Sequence, residues 1–162
     1  MPEIIVIAHN IRSTHNVGAI FRTAEGFGVK EIILSGYTPY PRLSKDSRLP
    51  HISDKLTSQI HKTALGAEKI VSFTYQETPD FDQLRKDGYR IVGLEQDASS
   101  IMLPDYTPPQ KIALLLGEEV EGIEIELRNT CDDLIEIPME GQKESFNVSV
   151  ATGIALYGLK FR

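Results

Sequence analysis

Residues 112–123 read Ile112-Ala113-Leu114-Leu115-Leu116-Gly117-Glu118-Glu119-Val120-Glu121-Gly122-Ile123, and they join the most apolar run of the chain to an abrupt polar end. Five consecutive apolar residues predict a strand that is buried on both faces. A glycine and several carboxylates follow, at the place where parallel sheets usually bind ligands. A helix dipole that favours acids at a helix N-terminus explains the same carboxylates without a ligand. The stretch therefore predicts the centre of a parallel sheet and leaves the purpose of its acids open.

Strand and helix patterns alternate on both sides of this stretch. Strands are predicted at residues 4–7, 31–34, 69–73, 90–94, 112–116 and 134–137. Helices are predicted at residues 16–27, 53–65, 80–86 and 123–129, with an amphipathic helix from residue 148 onward. This alternation is typical of an α/β fold, with a mostly parallel sheet and helices on both faces. Because no Ser/Gly-rich or Pro-rich linker divides the 162 residues, we expect a single domain over residues 1–162.

Composition and missing motifs exclude several classes of protein. Cys131 is the single cysteine, which excludes an internal disulfide and a cysteine cluster for a metal, and no metal site is expected. No stretch approaches the roughly 20 apolar residues of a membrane span, and no basic signal segment begins the chain. We therefore expect a cytoplasmic protein with no membrane partner. The GxGxxG and P-loop motifs are absent, since residues 9–14, after the first strand, contain no glycine.

The charge is acidic overall but uneven along the sequence. A net charge of −6 opposes nucleic-acid binding, which usually shows as a basic surface. Residues 42–62, here called the basic segment, nevertheless hold five basic side chains against two acidic ones: Arg42, Lys45, Arg48, Lys55 and Lys62. A solvated loop and helix face explains this segment, and a surface that contacts RNA is the alternative.

Two further groups of polar residues lie where a helix is predicted to begin. In residues 10–24, Asn16 stands at the expected N-cap of a helix, and Arg22 lies beside the apolar stripe of that helix. A guanidinium in that position needs an anionic or polar partner, and a structural ion pair is one explanation. In residues 135–151, Ser145 and Asn147 precede the last helix, where capping again explains them. Each group alone is therefore consistent with local structure.

Taken together and in this order, the three groups closely resemble the signature motifs of the SpoU family, the TrmH-like branch of the SPOUT methyltransferases. The resemblance runs from Asn-x-Gly-Ala-Ile-x-Arg-Thr at residues 16–23, through Leu-Gly-x-Glu at residues 116–119, to Ile-Pro-Met at residues 137–139 and Ser-x-Asn-Val-Ser-Val-Ala at residues 145–151. It extends over nearly the whole chain. It implies an α/β fold whose C-terminal segment is threaded through a loop as a trefoil knot. It also implies a homodimer, with sites completed across the interface.

Members of this family transfer a methyl group from S-adenosylmethionine to a ribose 2′-hydroxyl of tRNA or rRNA. The resemblance implies a catalytic role for Asn16, Arg22, Glu119, Ser145 and Asn147. It implies cofactor contacts for Leu94, Glu95, Leu116, Gly117, Ile137, Met139, Ser145 and Asn147. Asn16, Ser145 and Asn147 would orient the reactants, and Glu119 would fix Arg22 or the loop of the third motif. Arg22 would stabilise the forming alkoxide or hold the adjacent phosphate, and whether it also acts as the base is left open.

An RNA substrate follows from this interpretation, and we expect tRNA, with rRNA as the alternative, since no residues are left for an appended RNA-binding domain. The candidate RNA contacts are Arg12, His15, Arg42, Lys45 and Arg48. Two other functions stay open. One is a non-catalytic RNA-binding or ribosome-assembly factor that keeps the cofactor fold, although the complete set of motif residues argues against it. The other is an α/β nucleotide-binding protein unrelated to methylation. Calorimetry with S-adenosylmethionine and with dinucleotides would distinguish such a protein from a methyltransferase.

Overall fold

Seven strands form one sheet in the computed structural model, which describes residues 1–161. They are β1 (Glu3–His9), β2 (Glu31–Ser35), β3 (Phe73–Gln76), β4 (Arg90–Leu94), β5 (Ile101–Met102), β6 (Lys111–Leu116) and β7 (Asp133–Glu136). The strand order is β3-β2-β1-β6-β4-β7-β5, and every pairing is parallel. The parallel sheet predicted from the sequence is confirmed.

Helices cover both faces of this sheet, namely α1 (Thr14–Gly26), α2 (Pro50–Ala64), α3 (Phe81–Lys86), α4 (Ile125–Thr130) and α5 (Val148–Lys160). Alternate residues of β1 contact different helices. Ile4, Val6 and Ala8 pack in the cluster that holds α1, α2 and α5, whereas Ile5 and Ile7 pack in the cluster that holds α3 and α4. Burial on both faces explains why the central strands are continuous apolar runs rather than alternating ones.

The strand order brings four loops to one edge of the sheet. β1, β6, β4 and β7 are neighbours in that order, and because they are parallel their carboxyl ends lie side by side. The loops that follow them hold residues 10–13, 117–124, 95–100 and 137–147. The loops after β6 and β7 contain the polar residues of the second and third motifs, and the loop after β1 leads directly into α1, which holds Asn16 and Arg22 of the first. The fold therefore assembles the candidate site from segments that are distant in the sequence.

One predicted strand and one edge strand differ between the sequence analysis and the structure. The strand predicted at residues 69–73 is instead a 3₁₀ turn at Ala67–Lys69, and β3 begins only at Phe73. The buried carboxylate of Glu68 favours the turn, because it accepts a hydrogen bond from the amide of Gly66 at 2.9 Å. The sequence does not predict β5, since a two-residue strand with both side chains exposed shows no periodicity.

Some expectations lie beyond what this architecture tests. The trefoil knot, the single domain and the cytoplasmic location stay predictions. Among residues 1–161, no helix is long and apolar enough to cross a membrane, and the longest of them, α2, has 15 residues. The same part of the chain holds no group of three or more His, Cys, Asp or Glu side chains arranged for a metal ion.

Candidate active site

One row of hydrogen bonds joins the three sequence motifs at the edge of the sheet. The carboxylate of Glu119 accepts from Nδ2 of Asn16 at 3.2 Å. Oδ1 of Asn16 accepts from Nδ2 of Asn147, also at 3.2 Å. Asn16 lies 103 positions from Glu119 and 131 positions from Asn147 in the sequence. This Glu119–Asn16–Asn147 row therefore brings together residues of the first, second and third motifs.

Asn16 lies inside the first turn of α1 rather than at its N-cap, so the predicted capping role is wrong. The cap is Ser13, whose hydroxyl accepts from the backbone amide of Asn16 at 3.2 Å. The sequence offers Ser13, Thr14 and Asn16 within four residues, and all three types favour or tolerate caps. Propensity alone cannot choose among them. Because Ser13 takes the cap, the side chain of Asn16 is left to form the row.

Glu119 holds the loop that precedes α1. Its carboxylate accepts from the backbone amides of Arg12 and Ser13, each at 3.3 Å, in addition to Asn16. Burial raises the pKa of Glu119, but these hydrogen bonds favour the charged form and bring the pKa below its ordinary value of 4.5. Within residues 1–161, the side-chain hydrogen bonds of Glu119 all go to residues 12–16. The expected contact of Glu119 with Arg22 or with the loop of the third motif is not formed within the described chain, and the role of Glu119 stays a prediction.

Asn147 caps α5, as predicted. Its Oδ1 accepts from the backbone amides of Ser149 at 2.9 Å and Val150 at 3.4 Å. Its Nδ2 is then free to donate to Asn16. Ser145 takes no part in this cap, and its exposed side chain lies at the cavity described next.

A cavity of about 240 Å³ opens beside the row, at the carboxyl ends of β4, β6 and β7. Seven of the eight predicted cofactor contacts line it: Leu94, Glu95, Leu116, Gly117, Ile137, Met139 and Ser145. Asn147, the eighth, lies outside this lining and reaches the site through Asn16. Phe146, which the three motifs did not predict as a site residue, also lines the cavity. Its position between two predicted site residues is the signal that could have identified it.

A tight turn after β6 forms one wall of the cavity. Backbone hydrogen bonds between Glu118 and Gly122, at 3.0 and 2.8 Å, close the turn. A Cβ atom on Gly117 would lie 2.4 Å from the carbonyl carbon of Gly122 and from the nitrogen of Ile123. Glu95 supports the turn from the neighbouring loop, since its carboxylate accepts from the amide of Ile123 at 2.7 Å. Glu95 therefore shapes the wall through a backbone contact.

Arg22 lies apart from the row and the cavity. It is exposed on the outer face of α1. Ala19, three positions earlier, and His15, seven positions earlier, lie on the same side of the helix. Within residues 1–161, its guanidinium has no hydrogen-bond or ion-pair partner. The predicted anionic or polar partner is therefore absent from the described chain, because the side chain points away from the sheet.

The basic segment is partly neutralised by its own acids. Arg48 donates to Asp46 at 2.6 Å and to two backbone carbonyls, and only 16% of its side chain is exposed. Arg42 pairs with Asp54 at 3.0 Å. The predicted RNA contact of Arg48 is not supported, because its guanidinium is already bonded within the loop. Lys45 is exposed, as are Arg12 and His15 beside the row, and their RNA contacts stay predictions.

The sequence of this chain matches the SpoU rRNA Methylase family over residues 3–157. The chain belongs to the SpoU rRNA methylase family. The resemblance drawn from the three motifs is therefore confirmed. The matched range includes the whole Glu119–Asn16–Asn147 row and every loop of the cavity.

Named relatives are similar to this chain in sequence, and solved structures share its fold. The 23S rRNA (guanosine-2′-O-)-methyltransferase RlmB of Coxiella burnetii is 32% identical over 158 residues, which are 96% of this chain and 57% of that protein. The AdoMet-bound rRNA methyltransferase of Sinorhizobium meliloti has a TM-score of 0.81 at 26% identity, covering 98% of this chain and 56% of that one. The A. aeolicus TrmH/SpoU tRNA modifying enzyme has a TM-score of 0.77 at 26% identity, covering 98% and 74%. The chain spans little more than half the length of the RlmB relatives that it matches.

Proposed function

We propose that this chain binds S-adenosylmethionine in the cavity and transfers its methyl group to a ribose 2′-hydroxyl of RNA. The main support is the Glu119–Asn16–Asn147 row, which brings one polar residue from each of the three family motifs together beside one cavity. The name of the curated relative supports the reaction, and the AdoMet-bound neighbour supports the cofactor.

The chemistry of the cavity fits this cofactor. Leu116, Ile137 and Met139 offer apolar surface to a purine ring. Six carboxylates line the cavity, and its described lining contains no Lys or Arg: Glu95, Glu118, Glu119, Glu121, Glu136 and Glu144. This negative charge favours a sulfonium and an ammonium group. When bound, the cofactor supplies a methyl group that its sulfonium already activates.

The residues of the chain then have to place and polarise the hydroxyl group. Asn16 uses Oδ1 and one Nδ2 proton in the row, so its second Nδ2 proton stays available for a substrate oxygen. The lowered pKa of Glu119 makes it a weak base, which fits a positioning role. Arg22, a guanidinium with several N–H donors, stabilises a developing alkoxide or an adjacent phosphate.

Gly117→Ala should weaken cofactor binding at least about ten-fold, because the added Cβ cannot fit unless the turn after β6 opens. Overpacking of this kind lowers the free energy of unfolding by about 1–3 kcal/mol. Titration calorimetry with S-adenosylmethionine measures the first effect, and chemical denaturation measures the second. Gly141→Ala is the matched control, since its Cβ would meet nothing within 4 Å. Equal affinity for S-adenosylmethionine in the two variants would contradict the proposal that the cofactor binds in this cavity.

We also propose a homodimer that uses α5. Exposed apolar side chains recur at spacings of three and four residues along and beside this helix: Phe146, Val150, Ile154, Tyr157 and Phe161. A continuous apolar stripe on the surface is typical of a protein interface. α5 packs beside α1, whose outer face carries the unpartnered Arg22. A second copy on α5 would therefore lie next to Arg22, in keeping with sites completed across the interface.

Charges placed on the stripe should separate the dimer. We expect Ile154→Asp combined with Tyr157→Asp to shift the molecular mass in analytical ultracentrifugation from that of two chains to that of one, because both side chains would bury a carboxylate. Ile70→Asp is the control, since Ile70 is also exposed, at 70%, but lies after the 3₁₀ turn at Ala67–Lys69 and not on α5. A monomeric wild-type chain, or a variant that stays dimeric, contradicts this interface.

For the RNA, we propose rRNA rather than tRNA. The curated relative and the Sinorhizobium meliloti enzyme are both named for rRNA, while the A. aeolicus enzyme is named for tRNA. The preference for tRNA drawn from the sequence is therefore not supported over rRNA.

Mass spectrometry of nucleosides tests both the reaction and the substrate. RNA from cells with and without the gene is separated into rRNA and tRNA before digestion. We expect one 2′-O-methyl nucleoside to be missing from rRNA. A loss confined to tRNA would keep the reaction and overturn the substrate. If neither fraction loses a 2′-O-methyl nucleoside, the methyltransferase proposal fails and a non-catalytic RNA-binding or assembly factor is favoured.

A further inference from the structure

A second groove lies beside the loop that precedes α1, on the side away from the cofactor cavity. It encloses about 580 Å³ between this loop, the loop after β2 and the helix α2. We call it the Tyr37 groove, and its principal residues are Arg12, Tyr37, Tyr40, Arg48, Leu56 and Gln59. The methyl-transfer chemistry described above uses none of its aromatic rings.

The two tyrosine rings of this groove, those of Tyr37 and Tyr40, differ in their contacts and their exposure. Tyr40 stacks on Tyr75 with ring centres 4.1 Å apart, and the guanidinium of Arg48 lies 3.6 Å from the centre of the Tyr40 ring. Tyr40 is therefore fully engaged within the protein. Tyr37, by contrast, is 53% exposed, while its backbone amide is held by Oδ1 of Asn10 at 3.0 Å. The groove thus presents one aromatic ring on a fixed backbone.

A free cation stands beside this ring. The guanidinium of Arg12 lies 5.8 Å from the centre of the Tyr37 ring, and it has no carboxylate partner within residues 1–161. The backbone amide of Arg12 donates to Glu119 at 3.3 Å. One residue therefore links the wall of the groove directly to the Glu119–Asn16–Asn147 row. A ligand in the groove would lie next to the candidate active site.

The cofactor cavity and the Tyr37 groove, on either side of the loop that precedes α1, have linings of opposite charge. The described lining of the cofactor cavity holds six glutamates and no Lys or Arg. The described lining of the Tyr37 groove holds two arginines and no acid, and the charge of Arg48 is balanced by Asp46. A polyanion is repelled from the first hollow and attracted to the second. Arg12 is then the cation available to a phosphate.

We propose that the Tyr37 groove binds the nucleotide next to the methylated one in single-stranded RNA, with its base stacked on Tyr37 and its phosphate on Arg12. This assignment rests on the proposed RNA methylation. Unpaired bases commonly stack on exposed aromatic side chains, whereas bases inside a duplex are not available to them. The groove therefore selects for an unpaired segment beside the target ribose.

Fluorescence anisotropy with a short, labelled, single-stranded oligoribonucleotide of mixed sequence tests this assignment. We expect Tyr37→Ala to weaken binding by about ten-fold and Tyr37→Phe, which keeps the ring, to bind like the wild type. Arg12→Ala should lower the slope of log affinity against log salt by about 0.7, the value for one phosphate on a single strand. Lys86→Ala, which removes an exposed cation from α3 on the other face of the sheet, should leave the affinity unchanged.

Three results would overturn the assignment: unchanged affinity in Tyr37→Ala, an unchanged salt slope in Arg12→Ala, or equally tight binding of the same strand in a duplex. Calorimetry with S-adenosylmethionine should show the same affinity in Tyr37→Ala and in the wild type, which separates a local effect from misfolding. RNA binding that depends on Tyr37, without any methylated product, would contradict the proposed methyl transfer but support the proposed role of the Tyr37 groove. Methylation of RNA whose binding does not depend on Tyr37 would support the proposed methyl transfer but contradict the proposed role of the Tyr37 groove.

Discussion

Arg22→Ala should lower the rate of methyl transfer by about 100- to 1000-fold, the usual loss when a group that stabilises a developing negative charge is removed. The fold and the affinity for S-adenosylmethionine should stay unchanged, because Arg22 is exposed and lies outside the cavity lining. Turnover, calorimetry and thermal unfolding measure the three quantities. Lys86→Ala is the control for the loss of one positive charge. Unchanged turnover in Arg22→Ala would contradict a catalytic role for this residue.

A mixing experiment shows whether Arg22 acts on the site of its own protomer. Arg22→Ala and Glu119→Ala chains would each be inactive alone. If Arg22 serves the partner's site, a mixed dimer has one complete site, which takes its row from the first chain and its arginine from the second. Activity should then partly return on mixing. An inactive mixture in which hybrid dimers are shown to form would mean that Arg22 serves its own chain.

Glu119→Ala is the second change with a large expected effect. It removes the acceptor for the amides of Arg12 and Ser13 and for the side chain of Asn16, so the row and the loop before α1 lose their anchor. Hydrogen bonds to a charged acceptor stabilise a fold by about 1.5–3 kcal/mol, and we expect a loss of about 2 kcal/mol in the free energy of unfolding. Methyl transfer should fall at least about 100-fold, because the orientation of Asn16 is lost.

The pH dependence of this effect has a definite sign. The pKa of Glu119 is lower in the folded chain than its ordinary value of 4.5, so the charged carboxylate stabilises the fold above that value. The stabilisation is lost as the pH falls through the folded pKa. The difference in unfolding free energy between wild type and Glu119→Gln should therefore be constant near neutrality and shrink in acid. A difference that does not change with pH would contradict the charged role of Glu119.

Continuous apolar runs were the most informative part of the sequence for the fold. β1 and β6 are buried on both faces, so their composition identifies them as central strands without knowledge of their neighbours. Where structure depends on one side-chain hydrogen bond or on one neighbouring strand, this reasoning fails. The carboxylate of Glu68 accepts from the amide of Gly66 and favours the turn at Ala67–Lys69 over the predicted strand. The two residues of β5 form a strand by pairing with β7.

For the site, the sequence alone determined the family, the three motifs of residues 16–23, 116–119 and 137–151, and seven of the residues that line the cavity. The motifs follow from residue identity and spacing, and the cavity residues follow from the resemblance to the family that those motifs indicate. Only the tertiary structure decided which residue contacts which. Ser13 rather than Asn16 caps α1, and Glu119 holds Asn16 rather than Arg22.

The physical reason is that hydrogen bonds act between atoms within about 3 Å, and this proximity depends on the strand order β1-β6-β4-β7 rather than on separation along the chain. The same reason applies to Tyr37. Its sequence neighbours suggest only a turn, and its place beside Arg12 arises from the parallel pairing of β1 with β2.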